Sequence, residues 1–263
     1  MRIGINAGFC EPIRHQVPMI YSRYTDIRQD VYHATDNVQL YTLVNDLRDT
    51  AVRPLFIARG NQLHAFRRGE RTELLNEPNI NGITPEHYAR EWNDYAQTAI
   101  ENGVVVFAGS ISNLTQEGLA WLAATWKLME TPPTHVSIHR YPRRNFAQPH
   151  KGFDSRDAEV NALRDIIGNT SFAVTEFGYH TARQYKWIVV PFRWSEQQVF
   201  EYTVQEYQFW KSKGAESAYI YQLNDGPTDT YINRYGVRRA NSGVSGVDNS
   251  YWKPVAYAQD WIA

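Results

Sequence analysis

Two glutamates stand out, because each ends an apolar run at a point where a strand would have to stop. In Thr72-Glu73-Leu74-Leu75-Asn76-Glu77-Pro78-Asn79 an apolar pair leads straight into Asn-Glu-Pro. Proline lacks the N–H that a central ladder needs, so the expected strand ends at Glu77 and leaves a carboxylate and an amide at its tip. The run Phe172-Ala173-Val174-Thr175-Glu176-Phe177-Gly178 ends in the same way around Glu176. Two carboxyl groups on one rim of a sheet can divide the work of cleaving a glycosidic bond, one as acid/base and the other as nucleophile. The acid must keep its proton near neutral pH, and a second, negatively charged glutamate nearby raises its pKa. The plainer alternative is a pair of rim glutamates that form salt bridges or caps.

Further candidates lie on other expected strand ends. His139 and Tyr141 are two apart in His135–Tyr141, so their side chains face the same way. They either reach a sugar hydroxyl and orient Glu176, or serve as satisfied rim residues. Arg28 either hydrogen-bonds the nucleophile carboxylate and keeps it ionised, or is an ordinary surface arginine. Tyr221, Asn224 and Asp225 end the last expected strand, with Tyr221 a subsite floor or a core residue. Trp194, Trp187, Tyr179 and Trp252 fall in or beside rim loops and are candidate stacking platforms.

Other chemistries find less support. No expected strand end carries the lysine of a Schiff-base enzyme, and Phe177-Gly178-Tyr179-His180 is a poor match to a Gly-rich phosphate loop. There is neither His-x-His nor His-Glu-x-x-His, and the single cysteine, Cys10, excludes an internal disulfide and a cysteine-based zinc site. A magnesium site from Asp30, Glu77 and Glu176 has no further support, so no metal and no cofactor is expected.

The elements that must position these residues alternate along the chain. Strands are expected at Arg2–Asn6, Tyr24–Val31, Arg53–Ala58, the run ending at Glu77, Val104–Gly109, His135–Tyr141, Phe172–Gly178 and Ala218–Asp225. Helices are expected from Asp36-Asn37 to Arg48, from Thr84-Pro85-Glu86 to Asn102-Gly103, and over Thr115–Glu130, Ser155–Ile167, Ser195–Lys213 and Pro254–Ile262. Only about a dozen residues, Arg59 to Glu70, join the third and fourth strands, so the third helix should be shortened or irregular. Eight strands alternating with helices read as a single α/β domain over residues 1–263, a (β/α)₈ TIM barrel. In that fold active sites lie at the C-terminal strand ends. A doubly wound open sheet is the rival, but no Gly-rich phosphate loop follows the first strand.

Length and composition agree. A chain of 263 residues with 43% hydrophobic residues can bury one large core. The net charge is −1, with lysine and arginine scattered, which argues against a nucleic-acid partner. Neither a signal peptide nor an apolar run of membrane-spanning length is present. The expectation is a soluble monomer without a membrane partner, working where it is made or after loss of a leader.

With these residues in place, the chain resembles the clan A glycoside hydrolases, the (β/α)₈ superfamily of β-xylosidases, α-iduronidases, cellulases and β-mannanases. The matches are Asn76-Glu77-Pro78, His139-Arg140-Tyr141 and Thr175-Glu176-Phe177-Gly178, with Arg28 a fourth. The resemblance implies Glu77 as acid/base, Glu176 as nucleophile, Asn76 on the sugar hydroxyl next to the anomeric carbon, and His139 and Tyr141 in support. The Asn-Glu-Pro-Asn form looks closest to the β-xylosidase/α-iduronidase branch. In two departures, Leu75 stands where a tryptophan often precedes Asn-Glu-Pro, and Tyr221 stands for the tryptophan of strand eight. Two readings follow: a retaining glycosidase, expected to be endo-acting on a carbohydrate polymer, or a silent barrel that binds glycan. Only the first needs both glutamates.

Overall fold

The computed structural model describes residues 1–9, 20, 23–142, 146–179, 184–185, 188–189 and 194–222. Eight parallel strands close into a barrel: β1 (Arg2–Phe9), β2 (Asp26–Asp30), β3 (Arg53–Ala58), β4 (Arg71–Leu74), β5 (Val105–Ile111), β6 (His135–Arg140), β7 (Ser171–Phe177) and β8 (Ser217–Ile220). Each strand pairs with its neighbours in sequence, and β8 pairs with β1 to close the ring. Closure leaves no sheet edge, and every connection can be a crossover packed on the outside.

The helical layer follows the expected starts, because the capping residues are where the sequence places them. Asp36, Thr84, Thr115, Ser155 and Ser195 each accept a backbone N–H from the first turn, opening α1 (Asn37–Leu47), α2 (Pro85–Glu91), α4 (Gln116–Leu128), α5 (Arg156–Ile167) and α6 (Glu196–Ser212). The α2 helix continues through a π turn, Trp92–Ala96, into α3 (Gln97–Glu101). The third connection is short, as its length requires, and holds only a 3₁₀ segment, Gly60–Ala65. A two-stranded antiparallel ribbon, Gln184–Tyr185 with Ile188–Val189, sits between β7 and α6. No helix among the described residues is long and apolar enough to cross a membrane.

Four strands end two residues or more from where expected, the first being β1, which runs past Asn6 to Phe9. The fourth strand stops at Leu74, not Glu77, because Leu75 (φ 62°) and Glu77 (φ 46°) take left-handed backbone conformations. The turn that lifts Glu77 off the sheet therefore begins two residues before Glu77, not at Pro78. Strand β5 runs on to Ile111 through a bulge, and β8 ends at Ile220. Asn224, Asp225, Trp187, Trp252 and the expected helix Pro254–Ile262 lie outside the described residues.

The barrel interior is layered. At the N-terminal face, buried Asp26 meets Arg2, Arg53 and Arg71, and Arg71 also reaches Glu216. Above it Leu55, Phe107 and Ala173, from β3, β5 and β7, form an apolar layer with Tyr219 of β8. Tyr219 lies across the barrel because Gly4 has no side chain, and a Cβ there would come within 2.4 Å of its ring. Polar groups fill the next layer up.

Tyr88 of α2 ties the helical layer to the strand ends. Its buried hydroxyl donates to Leu74 O (3.1 Å) and accepts from Gly109 N (2.9 Å). Tyr88→Phe leaves both backbone groups buried and unpaired, so denaturant unfolding should show a loss of about 1–3 kcal/mol. A loss of under ~0.5 kcal/mol would mean that these strand ends do not depend on Tyr88.

Candidate active site

Backbone irregularities, more than regular alternation, bring the polar residues together at the C-terminal mouth. Along β7 one extra residue falls opposite both neighbouring strands: Ile138 and His139 pair with Val174 and Glu176, while Ala218 and Ile220 pair with Val174 and Phe177. This bulge lets Thr175 and Glu176, adjacent in sequence, both reach the interior. A second bulge in β5 sets Gly109 at φ 99° and Ser110 at φ 50°, aiming the buried Ser110 side chain at His139. The left-handed turn after β4 then swings Glu77 over the same space.

At the centre is Arg28, wholly buried on β2. Its Nε donates to Glu73 (2.6 Å), one terminal nitrogen to Asn6 Oδ1 (2.9 Å) and Glu176 (2.5 Å), and the other to Asn76 Oδ1 (2.8 Å). Four of the five guanidinium donors thus have oxygen acceptors, and the fifth faces His139 Nε2 at 3.3 Å. Glu73 is equally buried and also accepts from Thr175 Oγ1 at 2.9 Å. Burial opposes its charge, but Arg28, His139 and the Ser110 hydroxyl outweigh that and hold its carboxyl below the usual range. Asn6 completes the frame by donating to Thr175 O at 3.0 Å.

Glu176 is gripped from two sides, since its other oxygen accepts from the Tyr141 hydroxyl. Burial and the Glu176 charge push the Tyr141 phenol well above its ordinary pKa, so it remains a donor. Asn113 positions Tyr141 by accepting its backbone N–H at 2.8 Å, and His150 Nε2 lies 3.0 Å from the same oxygen.

His139 lies between the two glutamates, with Nδ1 2.9 Å from Glu77 Oε1 and 3.5 Å from Glu176 Oε2. Burial disfavours its charged form, yet the two carboxylates prevail and raise its pKa. Its Nε2 sits 3.3 Å from Ser110 Oγ, which can accept the second imidazolium proton. The consequence for Glu77 corrects the sequence expectation. Burial and Glu73 push its pKa up, but the His139 hydrogen bond and charge, with Arg28 behind, bring it below the usual carboxylate value. The second glutamate does not dominate, because a cation stands between the pair.

Single ligand atoms of Glu77, His139 and Glu176 lie within 4.8 Å of one another, spacing that could hold a metal ion. Arg28, bonded to Glu176 and 3.3 Å from His139, already supplies positive charge there. A dication would be repelled, so the cluster fits a hydrogen-bonded carboxylate–imidazole site better than a metal centre.

The sequence candidates fare unequally. Glu77, Glu176, Asn76, Arg28, His139 and Tyr141 converge, and Tyr221 joins them edge-to-face with Tyr141 at 6.0 Å. Burial and the charge of Glu176 raise the Tyr221 phenol above its ordinary pKa. Trp194 and Tyr179 are not presented as platforms. Their rings pack edge-to-face at 5.5 Å, Trp194 is only 8% exposed, and the Tyr179 hydroxyl bonds Glu206. Asp30 pairs with His33, 3.0 Å away, and is not in the cluster. Glu73, Asn6 and Ser110 escaped the sequence reading, although an acid inside the apolar strand Thr72–Leu75 was a signal for the first.

The closed (β/α)₈ barrel thus brings one glutamate from just past strand four and one from strand seven together over an arginine of strand two. Residues 69–221 match the family model described as glycosyl hydrolase catalytic core, and the chain belongs to that family. Solved structures agree in fold. An exo-β-1,3-glucanase of GH128 (subgroup VI) from Aureobasidium namibiae is 14% identical, with 90% of each chain covered and a TM-score of 0.63. A β-1,3-glucanosyltransferase from Rhizomucor miehei, solved with laminaritriose, is 11% identical over 93% of this chain and 95% of its own, with a TM-score of 0.65. A β-glucosidase of family 1 from Thermotoga maritima is 9% identical over 96% of this chain and 86% of its own, at a TM-score of 0.64. No curated protein matches the chain by sequence.

Removing the Glu73 charge would leave Arg28 under-compensated inside the barrel. Glu73→Gln should therefore cost about 3–5 kcal/mol of stability near neutral pH. Because the folded-state pKa is lowered, this contribution is present above about pH 4.3 and is lost as pH falls through that lowered value. Urea unfolding at pH 7 and pH 3 should show a wide gap between variant and wild type that narrows in acid. Equal stabilities at pH 7 would mean that Glu73 is not the counter-ion of Arg28.

Proposed function

We propose that this glycoside hydrolase cleaves internal β-glycosidic bonds of a glucan by double displacement, with Glu176 as nucleophile and Glu77 as acid/base. The observation that carries the reading is the grip on Glu176. Arg28 and Tyr141 each donate to one of its oxygens, so the carboxylate is held in one orientation at the mouth, as a nucleophile must be. Spacing supports retention: an oxygen of Glu77 and an oxygen of Glu176 lie within 4.8 Å, nearer the ~5–5.5 Å of retaining pairs than the ~6.5–9.5 Å of inverting ones.

The lowered pKa of Glu77 is compatible with an acid role, because its proton is stored next to it. Below the raised pKa of His139, Glu77 is ionised and His139 is the imidazolium, with Nδ1–H facing Glu77 Oε1. Moving that proton across one hydrogen bond gives a neutral imidazole and a protonated Glu77 with no change in net charge. Glu77 then protonates the leaving oxygen as Glu176 attacks the anomeric carbon, forming the glycosyl-enzyme and releasing the aglycone. In the second step Glu77 takes a proton from water, which attacks that carbon and frees Glu176.

A β-1,3-linked glucan is the first substrate to try, since glucanases and a glucanosyltransferase named for that linkage share the barrel. Endo action is part of the proposal, motivated by a small barrel whose mouth is flanked by Tyr141 and Tyr221. Product sizing early in a laminarin digest should give oligosaccharides of several lengths, and monosaccharide alone from the start would rule endo action out.

Azide separates the two roles. Glu176→Ala opens a space beside the anomeric carbon, so azide should yield a glycosyl azide of inverted configuration from an aryl β-glycoside. Glu77→Ala should still form the intermediate from substrates with good leaving groups, and azide should then yield the retained anomer. The same anomer from both variants would overturn the assignment.

The pH profile tests the proton store. Activity should fall as pH rises through the upper apparent pKa of the His139–Glu77 pair, above about 6.5 for the raised imidazole. In His139→Gln the proton must rest on Glu77 alone, so the alkaline limb of kcat/KM should move down by more than about one pH unit. An unmoved limb would detach His139 from the acid.

A further inference from the structure

We propose that the outer wall of the barrel carries a second carbohydrate site, separate from the mouth, that holds a neutral pyranose of a glucan chain. The short third connection creates it. Where a full helix would cover the flank of the α2–π–α3 helix, the 3₁₀ segment Gly60–Ala65 leaves a cavity of about 380 Å³ between the two. That is within the ~300–1,000 Å³ of small-molecule sites. The cavity runs from Gly60, just past the end of β3, to Asn102 and Val104, just before β5. It therefore lies along the side wall and not over Glu77 and Glu176.

Its chemistry suits a sugar ring. Leu63, Phe66 and Val104 give an apolar floor, and Tyr95 stands beside it 40% exposed. The exposed side chains of Asn61, Asp94, Thr98 and Asn102 line it and carry no hydrogen bond among the described residues. Together they offer donors and acceptors to a rim of hydroxyls, while an aromatic face and an apolar floor meet the C–H face of a pyranose. No lysine or arginine lines the cavity among the described residues, and Asp94 disfavours anions, so phosphate and acidic sugars fit poorly.

Two local features hold Tyr95 in place. It belongs to the π turn Trp92–Ala96, a local widening of the helix often found at functional positions. Gly60 admits its ring, because a Cβ there would lie 2.4 Å from Tyr95 Cδ2 and 2.3 Å from Glu91 Oε2. His64, on the opposite lip, is steadied by an edge-to-face contact with Tyr41 at 6.2 Å.

The proposal shares only its substrate class with the reading of the mouth, and the test keeps the two apart. Calorimetric titration of full-length Glu176→Ala protein with laminarihexaose and with cellohexaose should reveal a site that weakens at least tenfold on adding Tyr95→Ala or Asp94→Asn. Tyr95→Ala alone, in the otherwise native enzyme, should keep its kcat/KM on a small aryl β-glycoside, which also reports that it folds. If neither hexasaccharide shows Tyr95-dependent binding, the wall site is overturned whatever the mouth does. Binding at the wall with none at the mouth would instead count against the glucan hydrolase reading and leave this one standing. Tyr95-dependent binding of a quaternary ammonium probe but of neither hexasaccharide would overturn the carbohydrate assignment.

Discussion

A guanidinium sealed inside a barrel must be surrounded by acceptors, and Arg28 organises the mouth of this barrel around that need. Taking its charge out of water costs several kcal/mol unless hydrogen bonds and counter-charges replace the solvent. Glu73 provides permanent compensation from β4 and Glu176 provides the rest from β7, with Asn6 and Asn76 filling the remaining directions. Four strands are thereby tied to one planar group. The same requirement fixes where Glu176 can be, which makes a counter-ion of the residue proposed as nucleophile.

This dependence explains why the site is built from irregular backbone. A regular β7 would send Thr175 and Glu176 to opposite faces, yet Thr175 bonds Glu73 while Glu176 bonds Arg28. The bulge resolves the conflict, and the positive φ of Ser110, Leu75 and Glu77 does similar work on β5 and after β4. Backbone strain of this kind, about 1–3 kcal/mol per residue, persists where surrounding contacts over-determine the conformation. Buried ion pairs and hydrogen bonds at each of these positions provide such contacts.

Much of this was legible in the sequence, for identifiable reasons. Alternating strands and helices, caps at Asp36, Thr84, Thr115, Ser155 and Ser195, and the short third connection are local signals, and the barrel follows from them. Glu77, Glu176, His139, Tyr141 and Arg28 could be picked out because strand ends are where this architecture puts chemistry. What escaped depends on non-local pairing. Neither bulge leaves a mark in single-sequence periodicity, so the fifth strand was expected to end at Gly109 and Ser110 fell just outside it. Glu73 looked like a strand interior residue, and only the arginine from β2 explains why an acid is there. Trp194 read as a rim platform because its loop position was visible while its partner Tyr179 was not. The expected raised pKa of Glu77 failed for the same reason, since His139 enters from another strand.

The central claim is that the Arg28-held carboxylate of Glu176 forms a covalent bond to sugar. A 2-deoxy-2-fluoroglycoside with a good leaving group tests it most directly. The fluorine destabilises both oxocarbenium-like transition states, while the leaving group speeds only the first step, so a glycosyl-enzyme accumulates. Intact-mass and peptide mass spectrometry of the inactivated protein should find one sugar attached, on the peptide containing Glu176. A label on Glu77 or Glu73, or turnover of the natural linkage with inverted products and no adduct, would contradict the account.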